Sequence, residues 1–160
     1  MVEGKRDDPS LRPATMSDAE LLLEWRNDPK TREASFEQEA IALEEHREWL
    51  ASRLGDPDCA LFVIELEGRP AGSVRLDRDG DEEAEIHIVV APESRGAGLA
   101  SPALDLASEQ AGELLGVRRV RARVKSGNEA SLRAFRSAGF EPVREGDDVV
   151  ELVRASGSRG

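Results

Sequence analysis

The chain has 160 residues, 39% of them apolar and 34% charged, which excludes a disordered polymer and fits one globular domain with a heavily solvated surface. A single cysteine excludes an internal disulfide and a cysteine-based metal cluster, and two histidines argue against a structural zinc site, so no metal is expected. The net charge of −11 argues against nucleic acid as main partner and biases the field toward a cationic or amine-bearing one, although solubility alone accounts for it equally well.

No apolar run approaches the roughly 18 residues of a membrane span, and the opening Met1-Val2-Glu3-Gly4-Lys5-Arg6-Asp7-Asp8 lacks the apolar segment of a signal peptide. A cytoplasmic protein without membrane contact is expected. Residues 1–8 and 155–160 are polar or rich in glycine and serine, and are expected to be flexible tails around a single domain, 9–154. Within it, residues 10–15 have the length of a short edge strand. Ser17-Asp18-Ala19-Glu20 has capping-box spacing and opens a helix through Leu21, Leu22 and Trp25, which Asn27-Asp28-Pro29 stops. A loose connector over 30–40 leads to a second helix, where Ile41, Trp49, Leu50 and Leu54 recur near the helical period until Gly55-Asp56-Pro57.

The pattern then changes to strands. Residues 59–66, a turn at Glu67-Gly68-Arg69-Pro70, and 71–77 form a hairpin, and a further strand occupies 84–91. Beyond Pro92 a helix is expected over 96–115, closed by Gly116 in a left-handed cap. Val120, Ala122 and Val124 alternate with Arg119, Arg121 and Arg123 in a half-exposed strand over 117–125. Asn128 caps a short helix through Ala138, and residues 141–153 make a last hairpin. The fold class read from this order is α+β, with a mostly antiparallel sheet.

The segment Val89-Val90-Ala91-Pro92-Glu93-Ser94-Arg95-Gly96-Ala97-Gly98-Leu99-Ala100 is a strand, a glycine-rich turn and a helix start, which is the geometry of an anion site. Amides of the turn and first helical turn have no intrahelical carbonyl to bind, and the helix dipole adds partial positive charge. Gly96 and Gly98 let the backbone approach a diphosphate, while Arg95 adds charge or fixes the loop. The Gly-Lys-Ser/Thr ending of a triphosphate loop and the third glycine of a dinucleotide fingerprint are both missing.

The remaining pattern, Arg95-x-x-Gly98-x-Ala100 after an apolar strand, resembles the coenzyme A diphosphate motif of the GNAT superfamily of N-acetyltransferases. Further on, Asn128-Glu129-Ala130-Ser131 through Ala134-Phe135, with Ala138-Gly139-Phe140, resembles the second signature of that superfamily, and the element order agrees over about residues 10–154. The resemblance implies a GNAT-like sheet of six to seven strands flanked by about four helices, splayed at the strand before the cofactor loop. It implies acetyl transfer from acetyl-CoA to a primary amine of a small molecule, an amino sugar or a protein N-terminus, and a possible homodimer. Backbone groups of Ile88, Val89 and Val90 would pair with the pantetheine, Arg95, Gly96, Ala97, Gly98, Leu99, Ala100 and Ser101 would hold the diphosphate, and Asn128, Ser131 and Phe135 would complete the cofactor site. A plain helix cap is the other reading of Asn128.

Glu85 and His87 occupy alternate positions on the strand leading into the loop and so share a face. Either suits a base for the amine; Glu85 resembles the glutamate several superfamily members use there, while a solvated strand carboxylate or a packing histidine is the plainer role. The helix after Asn128 often carries a proton-donating tyrosine in this superfamily. Here the residue is Phe135 and the chain has no tyrosine, so water, or Ser131, would protonate the departing thiolate, and an acyl-CoA-binding module without catalysis is the alternative. Substrate contacts are expected from Trp25, Arg26, Asn27, Arg32 and His46 in the N-terminal helices, with core packing for the tryptophans and local ion pairing for Arg26 and His46 as competing roles. Cys59 opens an apolar strand and reads as a packing thiol. Arg118, Arg119, Arg121, Arg123 and Lys125 read as a solvated strand face, or as contacts to the adenosine phosphates or another subunit.

Overall fold

The computed structural model describes residues 8–36, 39–96 and 98–157. Strand β1 (Ser10–Pro13) pairs antiparallel with β2 (Cys59–Leu66) at one edge of a seven-stranded sheet. Three helices lie between them: α1 (Ala19–Asn27), α2 (Pro29–Ala34) and α3 (Leu43–Leu54). The sheet continues through β3 (Arg69–Asp79) and β4 (Glu83–Val90). After α4 (Ala100–Leu115), β5 (Arg119–Lys125) and α5 (Glu129–Ser137), the chain closes with β6 (Glu141–Glu145) and β7 (Val149–Ala155). The strand order is β1-β2-β3-β4-β5-β7-β6. The expected α+β class and mostly antiparallel sheet are thus observed.

Several boundaries differ from expectation for identifiable reasons. The capping box sits at Thr15 and Asp18, not at Ser17 and Glu20: Ser17 N–H donates to Thr15 Oγ1 at 3.3 Å and Thr15 N–H to Asp18 Oδ2 at 2.8 Å. Arg12 then grips both Asp18 oxygens, at 2.9 and 3.0 Å, which ties the edge strand to the helix start and holds the Asp18 carboxyl below its usual range. The connector after α1 is partly helical. Asp28-Pro29, which stops α1, also starts α2, with Pro29 in the first turn and Asp28 Oδ2 accepting from the amides of Lys30 and Thr31 at 3.1 and 3.2 Å. Helix α4 starts at Ala100 instead of Gly96, because Gly96 (φ 82°) and Gly98 (φ 73°) are left-handed and cannot continue a right-handed helix. The C-terminal tail begins later than residue 155: β7 ends at Ala155, Ser156 N–H bonds Arg118 O and Gly157 N–H bonds Ser108 O.

Strand alternation divides the core between the two faces of the sheet. Phe62, Ile64, Val74, Leu76, Ala84, Ile86, Val120 and Ala122 are buried against α4 and α5, where Ala103, Ala107 and Ala111 let the α4 axis approach closely. Leu61, Val63 and Ala91 turn to the other face and pack with Leu22, Trp25 and Leu50 of α1 and α3. Gly72 marks a tight approach of β3 to β4, since a Cβ there would lie 2.4 Å from Val89 O.

The feature that positions a site is the junction of β4 and β5. They are the parallel pair, and they pair only at Glu83 with Arg119, Ala84 with Val120, and Glu85 with Arg121. Beyond Glu85, β4 keeps its ladder to β3 and β5 keeps its ladder to β7. The two strands therefore diverge from a closed base. Ion pairs brace that base: Arg119 Nε to Glu83 at 3.0 Å, and Arg121 to Glu83 at 3.1 Å and to Asp79 at 2.6 Å. These arginines, expected on a solvated face, act as rungs across β3, β4 and β5.

Candidate active site

The divergence opens a cleft of about 1770 Å³ that runs from the loop before α4, between β4 and β5, to α1 and α2. At its α4 end, a turn at Pro92–Ser94 leads into Arg95, Gly96 and Gly98, and Leu99 provides no side-chain cap for the helix. Amides of the first turn, Ala100 and Ser101 among them, have no acceptor within the helix and face an electropositive opening. The constraint at Gly96 and Gly98 is backbone conformation, because a Cβ on either would meet nothing within 4 Å. Arg95 turns from the opening to bind Asp28 Oδ2 and, at 3.1 Å, Thr31 Oγ1, so it fastens the glycine loop to the cap of α2. This ion pair holds the Asp28 carboxyl below its usual range.

Of the expected cofactor residues, Ile88, Val89, Val90, Arg95, Gly96, Gly98, Leu99, Ala100, Ser101, Asn128, Ser131 and Phe135 all line this cleft, and Ala97 lies outside the described residues. Asn128 also caps α5, its Oδ1 accepting from Ser131 N–H at 3.2 Å. Phe135 is buried edge-on against Phe140, with centroids 5.1 Å apart, and presents no proton donor.

Val89 and Ala91 pack toward α1 and α3, so by strand alternation Glu85 and His87 face that side also, and both line the cleft. Glu85 Oε2 accepts from Arg123 Nε at 2.8 Å. His87 Nε2 lies 3.6 Å from Asp77 Oδ2. Partial burial, and then Arg75 beside it, push the His87 pKa down to about 4, so the imidazole is neutral at physiological pH. Burial works to raise Asp77, but Arg75, whose Nε donates to it at 2.8 Å, keeps it ionised below the usual carboxylate range. Burial and Asp77 push the Cys59 thiol up to about 12, which removes it as a nucleophile.

The expected substrate residues separate. Arg26 lines the cleft. Trp25 does not: it is 1% exposed in the core between α1 and α3. His46 is likewise buried and stacks on Trp49 at 5.6 Å, with burial and Arg26 lowering its pKa, so it is a packing residue. Asn27 exchanges two hydrogen bonds with the backbone of Ile41, both 3.0 Å, and joins the end of α1 to the segment before α3. Arg32 is half-buried on α2 away from the cleft wall. Sequence reasoning missed Arg75, whose signal was its alternation with Asp77 on β3, and Phe36, whose ring carries Arg123 and Lys125 at 5.1 and 5.8 Å. Both Arg75 and Phe36 line the cleft.

Two diverging strands offer unpaired backbone to an extended ligand, the uncapped helix start offers amides to its anionic end, and one of those strands, β4, carries a carboxylate beside a neutral imidazole. This is a group-transfer site for a long, anion-bearing donor. Residues 10–141 match the acetyltransferase (GNAT) domain family, and the chain belongs to that family. A spermidine N(1)-acetyltransferase of Escherichia coli K12 is 28% identical over 132 residues, which cover 81% of this chain and 71% of that protein. An N-acetyltransferase 9-like protein of Nematostella vectensis is 31% identical over 146 residues, covering 81% of this chain and 73% of its own. Among solved structures, a spermidine N-acetyltransferase from Vibrio cholerae in complex with CoA and spermine superposes with a TM-score of 0.83 at 21% identity, over 93% of this chain and 96% of that one. That likeness is one of fold. The expected family and class of activity, an N-acetyltransferase, are borne out. Among the described residues no helix is long and apolar enough to cross a membrane.

Proposed function

We propose that the cleft binds acetyl-CoA along β4, with its diphosphate on the amides from Gly96 to Ser101, and that the acetyl group passes directly to a primary amine held beside Glu85 and His87. The observation that carries this reading is the end of the β4–β5 ladder at Glu85 and Arg121, which opens the sheet into the uncapped start of α4. The residues present suit the donor: backbone from Ile88 to Val90 for an extended amide-bearing arm, first-turn amides and Ser101 for phosphate oxygens, and Asn128, Ser131 and Phe135 across from them.

The attacking amine must be neutral. Glu85 takes its proton, directly or through water, and Arg123 holds the carboxylate in place. His87, kept neutral because burial and Arg75 lower its pKa to about 4, accepts a hydrogen bond from the amine or from that water. Phe135 has no hydroxyl, so solvent in the open cleft protonates the leaving thiolate. The same phenylalanine supports a second reading, an acyl-CoA-binding module without turnover.

Thiol release from acetyl-CoA across a panel of amines separates these readings. Amine-dependent release that falls about 10²–10⁴-fold in kcat for Glu85→Gln, with acetyl-CoA affinity retained, is expected. Tight CoA binding without release for any amine would favour the binding module. The proposal further places the enzyme in the cytoplasm, acting as a homodimer on a soluble amine rather than on nucleic acid or membrane; fractionation and sedimentation test these points.

A further inference from the structure

The chain is acidic, yet its cleft is not. Among the described residues, seven cationic side chains line the cleft against three carboxylates, on a chain of net charge −11. Arg95 and Arg133 sit at the α4 and α5 end, beside the loop that accounts for a phosphate-bearing donor. Arg26, Arg75, Arg123 and Lys125 line the cleft too; Arg123 bonds Glu85, Arg75 stands opposite His87 in the β3–β4 register, and Lys125 shares the Phe36 ring with Arg123.

The way these four are held matters as much as their number. Lys125 Nζ donates to the carbonyl of Glu33 at 2.8 Å and lies on the ring of Phe36, as Arg123 does. Arg26, Arg53 and Arg75 surround the ring of Trp49 at 5.9, 5.8 and 5.2 Å. Asp77 is shared between Arg75 at 2.8 Å and Arg53 at 3.4 Å, one carboxylate for two guanidiniums. The carbonyl of Glu33 and the Phe36 ring orient Lys125 without cancelling its charge, whereas Arg75 keeps Asp77 as a carboxylate partner. The carboxylate nearest the reacting position, Glu85, is already engaged by Arg123.

We propose that the acceptor amine carries an anionic group, a carboxylate or a phosphate, which this wall of Arg75, Arg123 and Lys125 binds while the amine faces Glu85. The inference rests on the acetyl-transfer reading and narrows its substrate. Guanidinium groups pair with carboxylate and phosphate through parallel hydrogen bonds, whereas a second ammonium on the acceptor meets like charge. A polyamine is therefore a poor acceptor here, in contrast to the spermidine that the similar enzyme of Escherichia coli is named for. Burial is the main cause of the low pKa of His87, and Arg75 and then Arg123 push it in the same direction.

Matched acceptors test this at saturating acetyl-CoA: the dipeptide Ala-Glu against Ala-Gln for a carboxylate, glucosamine 6-phosphate against glucosamine for a phosphate, and spermidine as polycation. At least one anionic member is expected to exceed its neutral partner tenfold or more in kcat/KM, with spermidine below both, and the advantage should shrink as salt is raised. The pair that shows it identifies the anion. Arg75→Gln and Lys125→Gln should each raise KM for the preferred anionic amine at least fivefold with KM for acetyl-CoA moving less than twofold, and Lys125→Gln should leave KM for the neutral partner within twofold. Equal rates within both pairs, or spermidine as the best acceptor, overturns the proposal and leaves acetyl transfer standing. Tryptophan fluorescence of the CoA-loaded protein reads acceptor binding without turnover. Anionic amines that bind best but are never acetylated refute acetyl transfer and keep the anion site.

Discussion

Gly98 offers the sharpest test of how the glycine loop works. Its φ of 73° is left-handed, and a Cβ there would meet nothing within 4 Å, so Gly98→Ala introduces a conformational cost and no clash. An L-residue held in that region costs about 1–2 kcal/mol relative to glycine. The cost must appear somewhere. If the free alanine loop relaxes to a negative φ, it returns to the left-handed form only on binding, and CoA affinity falls by a factor of about 5–30 at unchanged stability. If the loop is held rigid by Arg95 and Asp28, the same free energy is lost from folding instead. Calorimetric CoA titration and urea unfolding of the same variant should therefore show losses that together come to about 1–2 kcal/mol. Asparagine tolerates the left-handed region, so Gly98→Asn should recover most of the loss. Unchanged affinity and unchanged stability for Gly98→Ala would show that the left-handed turn is incidental, and the cradle argument would fail with it.

The other outcomes rest on single contacts. For His87 the folded pKa of about 4 lies below the ordinary 6.5, so the unfolded chain binds the extra proton between those values. Stability from this residue is complete above pH 6.5 and declines toward pH 4, and His87→Gln should flatten the change in unfolding free energy between pH 7 and pH 5 relative to the parent. Gly72→Ala places a Cβ 2.4 Å from Val89 O, a backbone atom that moves only if β3 and β4 separate, so a loss of about 1–3 kcal/mol in chemical denaturation is expected. Asp28→Ala should lower the melting temperature through the lost cap of α2, whereas Asp28→Asn keeps the cap and loses only the pair with Arg95; equal melting temperatures for the two variants would contradict the cap.

Which parts of this architecture are readable from residues alone follows from how local their causes are. The limits of β2 coincide with the expected strand from Cys59 to Leu66, because the apolar run Cys59 to Ile64 lies between turn residues on both sides. Helix α2 was hidden because six residues are too few for periodicity to show, although Asp28-Pro29 carried its start signal. The start of α4 was misplaced for the opposite reason: the glycines that mark the loop look like part of the helix until their positive φ is seen. Trp25 and His46 failed as substrate residues because a residue type does not say which face of its helix meets the core. The spacing of His46 and Leu50, one helical turn apart and both buried, held that information.

Net charge describes the exterior of this chain and not its cleft, and the reason is geometric. A net charge sums over positions, while a ligand responds to the few groups within a Debye length, about 8–10 Å at physiological ionic strength. Glu44, Glu45 and Glu48 are exposed on α3, and Glu141 and Glu145 on β6; none of them lines the cleft. Three of the cations, Arg75, Arg123 and Lys125, come from strand positions on the α1–α3 face, where Arg75 stands opposite His87 in the β3–β4 register and Arg123 reaches Glu85 across the diverging pair. Strand alternation carries this segregation, but it becomes visible only once the register places β3, β4 and β5 side by side. The acidic exterior and the cationic cleft are thus separate features of one chain, and only the second bears on the proposed anion-bearing acceptor.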